Sequence, residues 1–167
     1  MTVEVRILAA EDDRTAFRSG DEALDLYFHR YAGQNQHHIG VTYVAVEAGA
    51  IVGFVTVSPG QLDAEAVGSK RRPPYPVPVL RIARLATGER SRGRGVGKVL
   101  LRFAIELAER LRNDVGCVGL VVDAKSGAVE FYRRYGFEPI CLVEGTASQI
   151  PRPTAMFVSL SSVPKRR

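Results

Sequence analysis

Cysteine is scarce in this sequence, and long apolar runs are absent from it. The 167 residues include two cysteines, Cys117 and Cys141, which lie far apart and outside any CxxC spacing. This usage argues against a disulfide scaffold or a cysteine-based zinc site, and it predicts two buried, reduced thiols. No segment reaches the roughly 20 apolar residues that span a bilayer. We therefore expect a cytoplasmic protein with no membrane anchor.

Targeting and metal-binding features are also missing. Charged side chains interrupt the short apolar stretch TVEVRIL near the amino terminus, so it lacks a signal-peptide core. Histidine occurs three times, at His29, His37 and His38, without metal-ligand spacing or the supporting carboxylates of a metal site. No metal is expected.

The remaining composition is that of a globular protein, with 46% hydrophobic and 25% charged residues. The length suits one domain, and no linker or repeat divides the chain. We place a single domain at 1–162 and a flexible basic tail at 163–167. The net charge of +5 favours an anionic partner, although many small proteins are mildly basic.

The order of the segments predicts an α/β fold in which a mixed sheet carries helices on both faces. TVEVRIL alternates like a strand, and VTYVAVEAGAIVGFVTVSPG predicts a β-hairpin. Between them, Ser19 and Glu22 have the spacing of a capping box at the start of a helix. The apolar face of that helix comprises Leu24, Tyr27, Phe28 and Tyr31. The proline-rich GSKRRPPYPVPVL predicts a stiff extended loop, because proline suits neither a helix nor a central strand.

The second half of the chain predicts a βαβ unit. A strand at 79–87 precedes a helix at about 96–111, whose apolar face carries leucine and alanine, and the apolar strand CVGLVVDA follows. Such units are parallel and right-handed. KSGAVEFYRRYGF predicts a shorter helix that ends at Gly136, and PTAMFVSL predicts a last strand.

A glycine- and arginine-rich turn, ERSRGRGVGK, joins the strand to the helix of this unit. Unpaired amides and the helix dipole favour an anion at such a position. Two phosphate motifs fail here: a P-loop would need residues other than Arg92 and Val99, and a dinucleotide fingerprint would need glycine instead of Lys98. The turn therefore predicts either a different phosphate cradle or a purely structural turn.

The spacing Arg92-x-x-Gly95-x-Gly97 resembles the pattern by which GNAT acyltransferases hold the pyrophosphate of acetyl-CoA. This resemblance implies the GNAT fold, with a parallel βαβ core that binds the coenzyme. It further implies that the end of the preceding strand docks the pantetheine arm and that the turn holds the pyrophosphate. The coenzyme-binding residues would then be Leu85, Ala86, Thr87, Arg92, Gly93, Arg94, Gly95, Val96, Gly97 and Lys98.

A second segment, AVEFYRRYGF, resembles the A-x-x-F-Y-x-x-x-G-F segment of the same family. The resemblance implies that Tyr132 is the catalytic residue, as a general acid or a hydrogen-bond donor to the coenzyme sulfur. Alternatively, Phe131 and Tyr132 are both core aromatics that pack on the sheet.

Most of the chain also resembles the GNAT toxins of bacterial toxin–antitoxin pairs. The likeness runs through an opening F-x-(C/S)-G-x-x-x-L-D-x-(Y/W/F) pattern, an A-x-x-x-Q helix end, a T-Y-V strand and a P-x-P-x-x-x-L-x-R-L-A run, in which Ile82 replaces the usual leucine. The matching residues before the proline run are Phe17, Ser19, Gly20, Leu24, Asp25, Tyr27, Ala32, Gln36, Thr42, Tyr43 and Val44.

This narrower resemblance implies an acetyltransferase that modifies the α-amine of aminoacyl-tRNA and so blocks translation. It also implies a ribbon-helix-helix antitoxin as a partner; a homodimer is a further candidate assembly. The alternatives are a GNAT enzyme for a small amine or a protein N-terminus, and a catalytically silent GNAT-fold binding protein. Individually, the basic residues suit a solvated surface; as a group they suit an RNA acceptor stem. The candidate RNA-binding residues are Lys70, Arg71, Arg72, Arg90, Arg133 and Arg134.

Overall fold

The computed structural model describes residues 2–33, 38–67, 75–141 and 153–162. Its strands form a mixed sheet in the order β1-β2-β3-β4-β5-β7-β6, in which β4 and β5 run parallel. The strands are β1 (Glu4–Ile7), β2 (Val41–Glu47), β3 (Ala50–Leu62), β4 (Val77–Thr87), β5 (Gly119–Ala124), β6 (Glu138–Pro139) and β7 (Thr154–Ser159). The helices are α1 (Glu22–Arg30), α2 (Val96–Asp114) and α3 (Val129–Arg134). The predicted α/β class and parallel unit are confirmed.

The chain divides into two compact units. The first comprises Met1–Ser58 and Ile82–Glu106, and the second comprises Pro59–Arg81 and Leu107–Arg167. The single domain at 1–162 stays a prediction, and the tail at 163–167 lies outside the described residues. No helix in the described ranges combines the length and apolarity that crossing a membrane requires.

An antiparallel hairpin and an aromatic cluster form the core of the first unit. Strands β2 and β3 pair as predicted, with Thr42 opposite Thr56. Phe28 of α1 stacks on Phe54 of β3 with ring centroids 4.4 Å apart, and Phe17 meets both rings edge-on. Burying three aromatic rings together supplies much of the apolar area that holds α1 on the sheet.

Helix α1 begins two residues later than the capping box predicts. Asp21 is the N-cap, and its carboxylate accepts hydrogen bonds from the amides of Ala23 and Leu24. The predicted cap at Ser19 is therefore wrong. The predicted apolar face is also wrong at Tyr31, which is 49% exposed because this nine-residue helix ends before it.

The prolines before the βαβ unit do not exclude a central strand. Strand β4 begins at Val77 and includes Pro78, whose carbonyl accepts a hydrogen bond from the amide of Val118 at 2.9 Å. Proline lacks a donor but keeps its acceptor. The extended-loop prediction is therefore wrong from Val77 onward, while 68–74 lie outside the described residues.

The second unit packs β5, β7 and the short β6 around an apolar cluster. Leu120 pairs with Val158 across β5 and β7, and Gly136, with φ of 92°, follows the end of α3 as predicted. Both cysteines are free; Cys117 is buried as predicted, but Cys141 is exposed, so that part of the prediction is wrong. Strand β6 is two residues long and was not predicted.

Candidate active site

The glycine turn lies between the end of β4 and the start of α2. A short 3-10 helix, Glu89–Ser91, leads into it. Gly93 and Gly95 have φ angles of 76° and 83°, in the left-handed region that glycine adopts without strain. A Cβ atom at either position would meet no atom within 4 Å, so the space above both glycines is open. A ligand can therefore approach the main chain closely here.

The turn also presents unused hydrogen-bond donors. The amides in the first turn of a helix have no partner within that helix. In the described part of the chain, no main-chain carbonyl accepts from the amides of Gly93, Gly95 or Gly97, whereas the amide of Val99 bonds the Gly95 carbonyl. The first turn of α2 carries no acidic side chain, and the helix dipole is positive at this end. These features fit the diphosphate of a CoA ester.

Arg92 holds the turn in place. Its guanidinium donates a hydrogen bond to the main-chain carbonyl of Ser19, and the amide of the nearby Glu89 bonds the Arg18 carbonyl at 2.8 Å. Two contacts thus tie the turn to the segment just before α1. Arg92 was predicted to bind the coenzyme. In the structure its side chain instead contacts the Ser19 carbonyl, so the groups of the turn that are available to a ligand are its main-chain amides.

Asp25 stabilises Ser19, the residue whose carbonyl accepts the Arg92 hydrogen bond. Its Oδ1 accepts hydrogen bonds from the amide and the hydroxyl of Ser19, at 2.9 and 2.7 Å, and both side chains are buried. Neither residue was predicted to serve the site. Both residues belong to the opening motif that resembles the GNAT toxins, and that resemblance was the sequence signal for them. In the structure, the motif supports the glycine turn through the main chain of Ser19.

Arg94, also predicted to bind coenzyme, forms an ion pair with Glu47 at the end of β2, with 2.8 Å between Nη2 and Oε1. The other carboxylate oxygen of Glu47 is buried and has no hydrogen-bond partner among the described residues. The ion pair joins the turn to the β2–β3 hairpin. Lys98 is exposed on the first turn of α2.

Tyr132 belongs to the second unit and is 4% exposed. Its ring packs edge-on against Phe131 and Phe137, with centroids 5.1 and 5.3 Å away, so the core-packing interpretation holds for the ring. Burial raises the pKa of the phenol well above its usual value, so the hydroxyl is protonated at neutral pH, as in any tyrosine, and is a weaker acid than usual. Within the described ranges, the structure gives that hydroxyl no hydrogen-bond partner. It remains an available proton donor.

The other predicted site residues have simpler surroundings. Leu85, Ala86 and Thr87 form the last three residues of β4, with only Ala86 buried. Arg90, Arg133 and Arg134 are exposed, and Arg133 pairs with Glu130. Lys70, Arg71 and Arg72 lie outside the described residues. No cluster of potential metal ligands occurs within the described ranges.

Known proteins resemble this chain along most of its length. The family described as "Acetyltransferase (GNAT) domain" matches residues 38–139. A protein of Mycobacterium tuberculosis (strain ATCC 25618 / H37Rv) named tRNA-acetylating toxin is 36% identical over 137 residues, which are 80% of this chain and 82% of that protein.

Two solved structures share the fold. AtaT complexed with acetyl-methionyl-tRNAfMet is 24% identical, with a TM-score of 0.85 and 96% of each chain covered. AtaTR bound with AcCoA is 27% identical, with a TM-score of 0.79 and coverage of 96% of this chain and 95% of that one.

Proposed function

Because this chain belongs to the GNAT acetyltransferase family, we propose that it transfers an acetyl group from acetyl-CoA to the α-amine of aminoacyl-tRNA. The observation that carries the proposal is the glycine turn. There, glycines with no side chain to block a ligand and amides without a main-chain acceptor lie at the amino end of α2, where the helix dipole is positive. The acceptor follows from the tRNA-acetylating relative, which matches this chain over most of both sequences. Acetylating this amine stops peptide-bond formation, so the protein would act as a toxin.

The turn would bind the coenzyme through its main chain. The amides of Gly93, Gly95 and Gly97 would donate to diphosphate oxygens, and Lys98 would add a positive charge on the first turn of α2. The main chain of Leu85, Ala86 and Thr87 would pair with the amide-bearing pantetheine arm. When bound, acetyl-CoA supplies the acetyl group as a thioester.

Tyr132 would hold a proton at its phenolic oxygen, where it can serve the departing sulfur. A donor must be protonated at the working pH, and a tyrosine phenol meets that condition. Burial raises its pKa and makes it a weaker acid, which favours hydrogen-bond donation to the sulfur over complete proton transfer. Its ring contacts with Phe131 and Phe137 restrict the direction of the hydroxyl. Acid catalysis by one positioned side chain typically accelerates a reaction by a factor of about 10²–10⁴.

An α-amine acceptor makes a strong general base unnecessary. The segment from Ile82 to Ala86 of β4 contains no carboxylate. Near pH 7.3, an α-amine with a pKa of about 7.8 is roughly a quarter neutral, whereas a lysine amine with a pKa of about 10.4 is only about 0.1% neutral. The site therefore suits an α-amine better than a lysine side chain.

The basic residues would bind the RNA, and the setting would be the cytoplasm. Phosphate contacts dominate RNA affinity, and the candidates remain Lys70, Arg71, Arg72, Arg90, Arg133 and Arg134. A ribbon-helix-helix antitoxin and a second copy of the chain are the proposed protein partners.

Mass spectrometry of charged tRNA tests the proposal. Charged tRNA is incubated with the protein and acetyl-CoA, and the released aminoacyl-adenosine is examined for an added acetyl group. Uncharged tRNA is the matched control and should gain nothing. We expect the acetylated product at low salt and a steep loss of tRNA binding as the salt concentration rises. Acetylation of small amines without acetylation of charged tRNA would contradict the proposed acceptor.

A further inference from the structure

Arg84 differs from the other arginines of the described ranges in its cation–π contact with an aromatic ring. Like Arg14, Arg18 and Arg92, it has no acidic partner there. It lies exposed on β4, between Ile82 and Ala86. Among the described residues, its side chain donates one hydrogen bond, to the neighbouring carbonyl of Ala83 at 3.0 Å. Within the described ranges, no carboxylate lies within ion-pair distance of it, whereas Arg94 and Arg133 each pair with a glutamate.

The side chain is nevertheless held in one orientation. The central carbon of the Arg84 guanidinium lies 4.9 Å from the centroid of the Tyr27 ring, in a cation–π contact. A guanidinium that lies over an aromatic ring can still donate hydrogen bonds to a ligand from its edge. Arginine has five such donors, and the bond to Ala83 uses one of them.

The Tyr27 ring is held by contacts with buried residues of the hairpin. Its hydroxyl is 3.1 Å from Oγ1 of Thr56, which is 2.7 Å from Oγ1 of Thr42, and both threonines are buried. The ring centroid lies 6.1 Å from that of Phe54 in the aromatic cluster. Arg84 therefore rests on a rigid platform, which reduces the entropy lost when its guanidinium takes up a ligand.

The charge and its place on β4 identify the ligand class. Arg84 precedes the three residues, Leu85, Ala86 and Thr87, whose main chain is proposed to dock the coenzyme arm. An oriented, unpaired guanidinium binds a phosphate with two hydrogen bonds. It also disfavours a cationic acceptor such as a lysine side chain, since like charges repel, and it favours the neutral form of a nearby amine.

We propose that Arg84, stacked on Tyr27, binds a phosphodiester of the acceptor's terminal nucleotides and so selects an amine that is attached to RNA. This inference rests on the proposed function, because it assigns the acceptor side of the same reaction. Tyr27 acts as a positioning residue, since it orients the guanidinium without touching the reacting atoms.

The test compares two acceptors that differ in phosphate. One is an aminoacyl-CCA trinucleotide, and the other is aminoacyl-adenosine, which carries the same amine without a phosphodiester. We expect wild-type kcat/KM to favour the trinucleotide by at least tenfold, as for a charged hydrogen-bonded contact. Arg84→Ala should lower this ratio at least tenfold, and Arg84→Lys, which keeps the charge but loses the planar fork, should give an intermediate ratio.

A matched control is Arg102→Ala, which removes one exposed positive charge from α2 and should leave the ratio within twofold of wild type. Acetyl-CoA affinity, measured by calorimetry, checks that each variant is folded. A wild-type protein with no preference for the trinucleotide overturns the inference by itself. An equal loss of kcat/KM for both acceptors in Arg84→Ala and Arg84→Lys would also overturn it, because a merely structural role predicts that result.

Failure of this inference is distinguishable from failure of the proposed function. Acetylation of charged tRNA and of both small acceptors without a phosphate preference would remove the role of Arg84 and leave the function standing. Absence of acetylation on charged tRNA and on both acceptors would overturn the function and the inference together.

Discussion

Arg92 donates a hydrogen bond to the main-chain carbonyl of Ser19, although the two residues are 73 positions apart in the chain. The contact joins the glycine turn to the segment that precedes α1. Asp25 holds the same segment through the amide and hydroxyl of Ser19. The glycine turn is therefore supported by the opening motif of the chain. If the turn binds the coenzyme as proposed, damage to that motif should weaken coenzyme binding from a distance.

Gly20→Ala tests this support. Gly20 has φ of 92°, and a Cβ atom there would lie 2.6 Å from Nη2 of Arg92. We expect a loss of about 1–2 kcal/mol in the free energy of unfolding from the backbone strain alone. Displacement of Arg92 should also weaken acetyl-CoA binding severalfold, as measured by calorimetry.

Gly127→Ala is the control for that substitution, because no atom lies within 4 Å of its added Cβ and its φ is not in the left-handed region. It should leave acetyl-CoA affinity unchanged. Unaltered affinity in Gly20→Ala would show that the Arg92–Ser19 contact does not support the coenzyme turn.

Gly95→Ala tests the turn directly, with Gly49→Ala as a matched control. The two glycines have φ of 83° and 79°, and a Cβ atom at either position meets nothing within 4 Å. Both substitutions should therefore cost a similar 1–2 kcal/mol of stability, read from chemical denaturation. Only Gly95→Ala should weaken acetyl-CoA binding, by at least tenfold, since it disturbs amides proposed to bind a charged group. Equal affinities in the two variants would place the diphosphate elsewhere.

Hydrophobic and glycine patterns predicted the framework of the fold. The VTYVAVEAGAIVGFVTVSPG segment forms the β2–β3 hairpin because its β-branched residues alternate around a short turn. Gly136 ends α3 because it can adopt the left-handed conformation there. Such features depend on local conformational preferences, which can be predicted from the sequence.

The misplaced features depend on tertiary contacts. Ser19 has a suitable side chain for a helix cap, but the buried carboxylate of Asp25 takes its hydroxyl and amide, and Asp21 caps α1 instead. Pro78 is accommodated in β4 because it keeps its carbonyl, which accepts a hydrogen bond from the distant Val118 amide. The contact of Arg84 with Tyr27, on which its proposed role rests, could not be predicted for the same reason, since it joins residues 57 positions apart.

Asp12→Asn should show how one ion pair makes stability depend on pH. Two hydrogen bonds from the Arg6 guanidinium, each 2.8 Å long, lower the pKa of Asp12 from its ordinary 3.8 to about 2. A carboxylate with a depressed folded-state pKa stabilises the protein above pH 4, and that stability is lost as the pH falls from about 4 to about 2. The variant should lose about 1 kcal/mol at pH 7, a modest value because Arg6 is partly exposed.

Denaturation of wild type and Asp12→Asn across this pH range measures the effect. Their difference in unfolding free energy should shrink as the pH falls from 4 to 2. Glu11→Gln, at an exposed neighbouring position, is the control and should change little. A constant difference down to pH 2 would mean that Asp12 stabilises the fold through packing and not through its charge.

Tyr132→Phe separates the hydroxyl from the ring. Phenylalanine preserves the edge-on contacts with Phe131 and Phe137, so the fold and acetyl-CoA affinity should be retained. Loss of the proton donor should lower kcat for acetyl transfer by at least tenfold. The rate is measured with a saturating acceptor and coenzyme, so that a change in binding does not enter it.

Tyr135→Phe is the control for this experiment. Tyr135 lies near the same aromatic group, with its ring centroid 5.2 Å from that of Phe131, but it has no proposed role in proton transfer. Its substitution should leave kcat within about twofold of wild type, because a hydroxyl that does not touch the reacting atoms contributes little to the rate. Full activity in Tyr132→Phe would remove this tyrosine from the mechanism, and equal losses in both variants would assign the effect to packing of the aromatic group. A selective loss in Tyr132→Phe, with coenzyme affinity intact, is the outcome that requires the buried phenol to supply its proton.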